Sequence, residues 1–318
     1  MDRTALVLGA TGGIGGETAR RLAGRGWKVR ALSRSGGGGH RDGIAWEQGD
    51  ALDAGDVRRA AAGAALLVHA VNPPGYRDWD RLVLPMLDNT IAAARAAGAR
   101  VLLPGTVYNY GPDTFPLIGE EALQHPLTRK GRLRVEMERR LQEASARGEI
   151  RALIVRAGDF FGPRAGNNWF GQGLVKAGLR PRAVTYPGRA GIGHQWAYLP
   201  DVAETMMRLV EREDLPDFAR FHMEGHWDAD GARMIGAIRR ALGAPDLPVK
   251  KLSWALMRLA SPLIPLFREL GEMRYLWRQP VRLDNARLRG MLGEEPHTPL
   301  DEAVRATLIG LGCMEAEA

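Results

Sequence analysis

Short apolar runs alternate with longer amphipathic segments through the first half of the chain. The runs that predict buried strands span residues 5–8, 27–34, 44–50, 65–70, 100–104 and 151–156. Between them, apolar side chains recur at helical spacing in segments 13–26, 54–62, 77–97 and 127–146. The run at 65–70 is almost continuously apolar, which is typical of a parallel strand covered on both faces. This rhythm predicts right-handed crossovers and an α/β fold, a doubly wound parallel sheet with helices on both faces.

The alternation loosens beyond residue 157. Helices are predicted at 169–178, 201–213, 228–242, 252–277 and 300–312, and short strands at 183–186 and 220–223. We therefore divide the chain into a first domain, residues 1–157, and a smaller, mostly helical C-terminal lobe, residues 158–318, with part of the lobe free to return to the sheet. We expect this lobe to lie against the carboxyl edge of the strands, where ligands bind in such sheets.

A glycine-rich turn joins the first predicted strand to the first helix, with Gly9, Gly12 and Gly15 spaced three apart. Glycine permits the backbone angles of a tight turn. Its missing side chain lets a pyrophosphate approach the helix N-terminus, where unpaired N–H groups favour negative charge. Between a strand and a helix, the triplet predicts the dinucleotide site of a Rossmann sheet; the alternative is a glycine-rich loop without a ligand. The residues expected to line this site are Gly9, Thr11, Gly12, Gly13, Ile14 and Gly15.

The end of the second predicted strand bears on the choice of cofactor. An NAD-selective site usually carries an acidic residue there, which bonds the ribose 2′-hydroxyl. This chain has Ser33, Arg34 and Ser35 instead. The Arg34 guanidinium can pair with a 2′-phosphate, so the sequence favours NADP, with NAD as the second choice. The alternative is an arginine on a solvated loop, where most arginines lie.

Composition narrows the class of protein. The chain has 318 residues, 45% hydrophobic and 25% charged, which is ordinary for a globular protein with a sizeable core. Its single cysteine, Cys313, excludes an intrachain disulfide and a cysteine-cluster metal site. This usage fits a reducing compartment, and we expect a cytoplasmic protein. The N-terminal residues show no signal-peptide pattern, and the apolar segment 252–267 is too short and too interrupted to cross a bilayer, so we expect no membrane span.

The net charge of +7 and the pI of about 9.9 raise the question of a nucleic-acid partner. However, the arginines are scattered through predicted helices and mixed with Asp and Glu, without a long basic run. A solvated surface and an anionic cofactor explain such a distribution. We therefore expect a small-molecule substrate and no nucleic-acid partner.

Five motifs resemble the short-chain dehydrogenase/reductase superfamily, in its extended or atypical NAD-dependent epimerase/dehydratase branch. They lie at residues 9–15, 49–50, 106–111, 156–163 and 198–203. The resemblance implies that Asp50 contacts the adenine amine, with Ala51 beside the cofactor. It also implies that segment 158–163 passes near the nicotinamide and that Thr106 orients the substrate oxygen. The residues that it places along the cofactor after the fourth strand are Ala70, Val71 and Asn72.

The chemistry of that superfamily rests on a Tyr-x-x-x-Lys pair near the start of the helix at 127–146, and this chain lacks the pair. When the helix is aligned through Glu136, the Tyr position falls on Thr128 and the Lys position on Arg132. Neither side chain titrates near neutral pH, so neither can replace the residue it stands for.

Helix geometry offers Lys130 as a substitute. Lys130, Leu133, Met137 and Leu141 share one stripe, which we expect to face the sheet, with Lys130 at the cofactor end. Thr128 and Arg132 are expected to project away from this stripe. The alternative is a lysine that extends from the apolar edge into solvent.

Other candidates come from loops and from the lobe. Tyr108 and Tyr110 offer phenols on the long loop 105–126; the alternative is that both pack beneath it. We take Thr106, Lys130 and Tyr108 as the catalytic candidates. His194, Trp196 and Tyr198 could line a pocket or simply alternate along a strand. His222 and His226 lack a third ligand nearby, so we expect no metal site. The aromatic stretch at 252–277 is first expected in the core, with a lid over an apolar substrate or a homodimer face as alternatives.

The sequence thus predicts an NADP-dependent oxidoreductase or epimerase. Hydride would pass between nicotinamide C4 and a carbonyl or alcohol, including that of a nucleotide sugar. Thr106 would bond the substrate oxygen, and Lys130 or a loop tyrosine would supply the proton. The alternative, raised by the missing pair, is a non-catalytic NADP-binding redox sensor with the same fold.

Overall fold

A computed structural model describes residues 3–35, 38–73, 78–165 and 168–316. The strands of the described chain are β1 Thr4–Leu8, β2 Lys28–Ser33, β3 Gly39–Arg41, β4 Ile44–Gln48, β5 Leu66–His69, β6 Arg100–Thr106, β7 Leu117–Ile118, β8 Arg151–Ala157, β9 Asp159–Phe161, β10 Val184–Tyr186, β11 His194–Tyr198, β12 Phe218–His222, β13 His226–Asp228, β14 Val249–Lys251 and β15 Arg282–Leu283. The α-helices are α1 Gly13–Gly24, α2 Ala54–Ala60, α3 Trp79–Ala97, α4 Arg129–Ala146, α5 Leu199–Val210, α6 Ala232–Ala241, α7 Trp254–Ala260, α8 Pro265–Glu272, α9 Ala286–Leu292 and α10 Leu300–Gly310.

Eight of these strands form the central sheet, in the order β12-β8-β6-β5-β1-β2-β4-β3. Neighbouring strands run parallel, except that β3 pairs antiparallel with β4 at one edge. Along β1, Ala5 and Val7 point into one core, and Leu6 and Leu8 point into the other. This strand is therefore buried on both faces, as the apolar runs predict. The predicted doubly wound parallel sheet is confirmed.

The helices cover the sheet in two layers. On one face, α1 and α5 pack together, with Leu22 and Met206 among the buried contacts. On the other face lie α2, α3 and α4, with Leu87 and Leu141 buried. The predicted first residue of the third helix, residue 77, lies outside the described residues. After residue 157 the chain returns to the sheet with β12, which extends it beyond β8.

Strands are added to the sheet on both sides of β1. Strands β2 and β4 follow on one side, whereas β5, β6, β8 and β12 follow on the other. The loops after β1 and β5 therefore diverge and leave a crevice at the carboxyl edge, which is where doubly wound sheets bind dinucleotides.

A third core lies mostly in the C-terminal half, around buried aromatic residues such as Phe161, Trp196 and Trp277. Three small sheets frame it, β13-β11-β9, β10-β14 and β15-β7. The predicted helix at 169–178 is wrong, because only a wide helical turn at Phe170–Leu174 forms there. The predicted helix at 252–277 is divided into α7, α8 and a 3-10 turn at Met273–Trp277. Pro265, which lacks an N–H to donate, begins α8 rather than continuing α7. No helix in the described chain is long and apolar enough to cross a membrane.

Candidate active site

The turn after β1 presents bare backbone to the crevice. Gly9 has φ +90°, and a Cβ on it would lie 2.5 Å from the Ala70 carbonyl oxygen. A Cβ on Gly15 would lie 2.2 Å from the Gly9 carbonyl oxygen. The Gly12 amide donates to that same oxygen at 2.9 Å, and α1 begins at the next residue without a side-chain cap. Side chains at Gly9 and Gly15 would collide with neighbouring backbone, so this tight turn, which we call the glycine cradle, requires glycine there; its shape fits a pyrophosphate against the first amides of α1. Thr11 and Gly12 are exposed there, whereas Gly13 and Ile14 are half-buried.

The ends of β2 and β4 lie side by side next to this turn. The Gly49 amide donates to the Ser33 carbonyl at 3.1 Å. Arg34 follows and is exposed. Asp50 is half-buried, and one of its carboxylate oxygens accepts from the Leu52 amide at 3.0 Å. Ala51 is buried. The arrangement leaves the Arg34 guanidinium accessible at the strand end, where the adenosine ribose of a dinucleotide would lie.

The loop after β5 forms the other side of the crevice. Ala70 and Val71 are half-buried, and Asn72 is exposed. The Asn72 side-chain oxygen lies 3.3 Å from an Nη atom of Arg134, which reaches across from α4. Burial, together with the Arg134 charge, lowers the pKa of His69 to about 3, so its imidazole is neutral at physiological pH.

Arg134 also lies at the crevice, and the sequence reasoning did not single it out. Its side chain is buried, and its guanidinium carbon lies 5.3 Å from the centre of the Trp79 ring. The available signal was its spacing, since Arg134 is one helical turn after Lys130 on the same side of α4.

Lys130 is one of the residues that line a large cavity and is only 1% exposed. Its Nζ donates to the Glu269 backbone carbonyl at 2.9 Å and lies 2.9 Å from the Glu269 carboxylate. Burial lowers the pKa of the Lys130 ammonium, and the hydrogen bond and charge of Glu269 oppose that shift. Met137 and Leu141 are fully buried, which confirms that this stripe of α4 faces the sheet.

Thr128 is not placed as expected, and Glu136, through which the helix was aligned, lies on its outer side. Thr128 is buried rather than projecting away, because its hydroxyl caps α4 by accepting from the Gly131 amide at 3.0 Å. Arg132 is exposed, as predicted. Glu136 pairs with Arg139 and Arg140 along the outer side of α4. The buried carboxylate of this helix is Glu138 instead.

The two loop tyrosines are separated by the fold. Tyr108 lines the cavity near Lys130, and its amide donates to the Thr106 hydroxyl at 3.3 Å. Tyr110 is fully buried, and its hydroxyl lies 3.0 Å from His222 Nε2. Burial raises the pKa of Tyr110 to about 12. Tyr108 therefore remains a candidate for proton transfer, whereas Tyr110 is part of the core.

A buried set of polar side chains holds this loop in place; we call it the core polar network. Arg156 pairs with Glu138, and Arg156 Nη1 lies 3.0 Å from His222 Nε2. Asn109 donates to Glu138 at 2.9 Å. The fifth member, Tyr110, bonds both Arg156 and His222. The network joins β8, β12, α4 and the loop after β6, so it fixes where Thr106 and Tyr108 lie.

The cavity beside Lys130 has a volume of about 1460 Å³. Its inner wall includes Tyr108, Asp159 and Lys130. Helices α7 and α8 contribute Met257 and Phe267 on another side. Three exposed basic side chains also line it, Lys176, Arg180 and Arg182. A molecule with an anionic part and an apolar part would match this lining.

The remaining sequence candidates lie in the core. His194 Nε2 lies 2.8 Å from the Asp159 carboxylate, and the His194 ring stacks on Trp277. Trp196 and Tyr198 are buried beside it and are not among the residues that line the cavity. His222 belongs to the core polar network, and the His226 ring lies 4.4 Å from that of His297. Among the described residues, no group of three or more His, Cys, Asp or Glu is arranged to hold a metal ion.

Solved structures with the same fold cover almost the whole chain. MoeE5 in complex with UDP-glucose and NAD has a TM-score of 0.75 at 18% sequence identity, with 97% of this chain and 98% of that chain covered. A putative epimerase from Burkholderia cenocepacia J2315 has the same TM-score of 0.75 and 18% identity, with 98% and 99% covered. The UDP-glucuronic acid 4-epimerase from Bacillus cereus, in complex with UDP-glucuronic acid and NAD, has a TM-score of 0.76 at 14% identity, with 97% and 98% covered.

A search of curated proteins gave no significant match. The sequence profile of the NAD dependent epimerase/dehydratase family, in contrast, matches residues 5–219, which include the glycine turn, α4 and all the strands of the central sheet except part of β12 and the first residue of β1. The match covers more than half of the chain and agrees with the resemblance seen in its motifs. The chain therefore belongs to the NAD-dependent epimerase/dehydratase family.

Proposed function

We propose that the protein is a nicotinamide-dinucleotide-dependent oxidoreductase of the epimerase type, acting on an anionic substrate such as a nucleotide sugar. The observation that carries the proposal is Lys130, a buried lysine that faces a large cavity at the carboxyl edge of the sheet. A buried ammonium is costly, and groups with lowered pKa values in clefts are typical of proton-transfer sites.

The glycine cradle supports dinucleotide binding, and Arg34 favours NADP. The cofactor, when bound, supplies or accepts the hydride. The exposed Arg34 guanidinium at the end of β2 would pair with the 2′-phosphate in a charge-assisted contact. Asp50, Ala51, Ala70, Val71 and Asn72 would line the rest of the crevice.

Helix α4 offers a replacement for each member of the Tyr-x-x-x-Lys pair. The buried carboxylate Glu138 is a better anchor for alignment than the outward Glu136. Aligned through Glu138, the Tyr position becomes Lys130 and the Lys position becomes Arg134. Lys130 would then transfer the proton, and Arg134 would hold the cofactor ribose by hydrogen bonds beside Asn72.

The neighbouring groups would orient the substrate. The Thr106 hydroxyl accepts from the Tyr108 amide, which leaves its own proton to donate to the substrate oxygen. Tyr108 would provide a second donor beside Lys130. Three basic side chains of the cavity lining would bind the phosphates of the substrate: Lys176, Arg180 and Arg182.

The cofactor assignment is tested by titrating the protein with NADPH and NADH. We expect Arg34→Ser to weaken NADPH binding by about tenfold or more and to leave NADH binding unchanged, because only NADPH carries the 2′-phosphate. Arg95→Ser removes an exposed arginine from α3 and serves as the control. Equal loss for both cofactors would remove the NADP assignment but would leave the dinucleotide site intact.

The reaction is tested with a panel of carbonyl compounds and nucleotide sugars. We expect turnover by the unchanged protein and a loss of about 100-fold or more in kcat for Lys130→Met, with cofactor binding retained. The control, Lys28→Met, changes a lysine at the amino end of β2, away from the crevice. Cofactor binding without turnover across the panel, and no effect of Lys130→Met, would favour the redox-sensor alternative.

A further inference from the structure

Helices α7 and α8 form a hairpin whose outer surface is unusually apolar; we call residues 254–272 the α7–α8 hairpin. Leu256 is 67% exposed, Leu259 79%, Leu263 87% and Ile264 41%. Single exposed leucines are common on protein surfaces. Four strongly exposed apolar side chains within nine residues are less common, and concentrations of exposed apolar surface mark docking surfaces.

The inner side of the same hairpin already has its own contacts. Met257 is buried, and with Phe267 and Leu270 it lines the cavity. Glu269 is 3% exposed and holds Lys130. The exposed leucines therefore form a second apolar face, which packing within this chain does not require.

Basic side chains flank this second face along the sequence. Segment 248–278 carries Lys250, Lys251, Arg258, Arg268, Arg274 and Arg278, against only Glu269 and Glu272. The Arg274 guanidinium carbon lies 5.6 Å from the centre of the Trp254 ring at the start of α7, and Arg258 and Arg268 are exposed on α7 and α8. Of the two acids, Glu269 is buried and Glu272 is partly buried. The outward charge around the hairpin is therefore positive.

We propose that the α7–α8 hairpin docks the protein on an anionic phospholipid surface. Apolar side chains enter the boundary between headgroups and acyl chains, while flanking Lys and Arg side chains attract anionic lipid headgroups. A symmetric contact between two copies of this face would bring two positively charged surfaces together, and such like-charge pairing is unfavourable. The lipid surface satisfies both the apolar face and the positive charge around it.

Docking has a direct consequence for the cavity. Because the inner side of the hairpin is a wall of the cavity, a docked hairpin holds the cavity next to the membrane surface. This inference goes beyond the proposed function and does not depend on it, since the hairpin contacts lipid with or without cofactor or turnover.

The test is sedimentation of the full-length protein with vesicles. Vesicles of phosphatidylcholine containing about one quarter phosphatidylglycerol should bind the protein, and vesicles of phosphatidylcholine alone should bind it at least about tenfold more weakly. Binding should weaken as salt is raised, because the lipid charge is screened. Leu259→Gln with Leu263→Gln should reduce binding by about tenfold or more, since these side chains would no longer enter the apolar boundary.

Matched variants distinguish docking through the hairpin from non-specific adsorption to vesicles. Leu117→Gln with Leu123→Gln removes two exposed leucines elsewhere and should leave vesicle binding unchanged. Arg258→Gln with Arg268→Gln should reduce binding to the anionic vesicles, whereas Arg95→Gln with Arg147→Gln should not. No binding to the anionic vesicles would overturn the proposal. So would equal losses in test and control variants, or a dimer in vesicle-free solution that Leu259→Gln with Leu263→Gln makes monomeric.

Discussion

Two buried ion pairs in this protein look alike but have different surroundings. Arg156 pairs with Glu138 inside the core polar network. The arginine side chain is fully buried there and contacts four residues, Glu138, Tyr110, His222 and the backbone carbonyl of Glu120. Lys130 pairs with Glu269, but this pair forms part of a cavity wall. The first pair is enclosed by protein on every side, whereas the second faces a space that a substrate could enter.

The comparison shows how the same chemistry serves two purposes. Arginine keeps its proton in a protein, so Arg156 is a permanent positive charge that organises the loop after β6. Lysine changes its pKa readily when buried, and burial lowers the pKa of Lys130. A fixed charge suits a structural network, and a titratable one suits a site where a proton moves.

The largest expected effect is on the enclosed pair. Arg156→Leu should lower the free energy of unfolding by about 3–5 kcal/mol, because it leaves the Glu138 carboxylate buried without its partner. Denaturant unfolding followed by circular dichroism measures this loss. Arg139→Leu, which removes a surface partner of Glu136, should have no measurable effect. The double variant Arg156→Leu with Glu138→Leu should recover part of the loss. If Arg156→Leu unfolds no more easily than Arg139→Leu, the enclosed pair is not structural.

A smaller effect separates the two tyrosines. Tyr110→Phe should cost about 1–2 kcal/mol of unfolding free energy, because its hydroxyl is bonded inside the core polar network. Tyr108→Phe should change the free energy of unfolding by less than about 0.5 kcal/mol, because Tyr108 is only half-buried and lines the cavity. Parallel denaturation curves check both values. Equal losses would mean that Tyr108 is as much a core residue as Tyr110.

The smallest expected effect is a change in pH dependence. The hydrogen bond and charge of Glu269 raise the pKa of Lys130 against its burial, so Glu269→Gln should lower that pKa further. On the role proposed for Lys130, the ammonium donates the proton in the reductive direction. The rate should therefore fall at a pH about one unit lower than in the unchanged protein. The oxidative direction, which needs the neutral amine, should gain activity at correspondingly lower pH.

Profiles of kcat against pH in both directions provide the measurement. Glu272→Gln is the graded control, because the charge of Glu272 acts on Lys130 more weakly and in the same direction. An identical profile for Glu269→Gln and the unchanged protein would show that Lys130 does not set the pH dependence.

The fold and the cofactor turn could be predicted because their signals are local. Gly9 and Gly15 are fixed by contacts within a few residues or with the adjacent strand, and the strands are marked by continuous apolar runs. Lys130 could be placed on the buried side of α4 from helical spacing alone. These features depend on local backbone geometry and on the spacing of apolar residues, and both can be read from a single sequence.

The partners in the site could not be predicted in this way. Glu269 reaches Lys130 across 139 residues of sequence, and no local pattern connects them. Helical spacing alone predicts that Thr128 points outward, although its hydroxyl caps the N-terminus of α4. Alignment through Glu136 assigns the pair positions to Thr128 and Arg132, and therefore does not point to Arg134. Which glutamate is buried depends on tertiary packing, and only the structure distinguishes Glu138 from Glu136.

The long separation between Lys130 and Glu269 affects how the molecule is completed during synthesis. When α4 leaves the ribosome, the residue that will neutralise its lysine has not yet been translated, and water must solvate the ammonium in the meantime. The first-formed sheet can bury its own apolar faces, but the cavity gains its wall only when α8 arrives. A nascent chain that stops before residue 269 would thus carry the glycine turn and the sheet without a complete cavity wall.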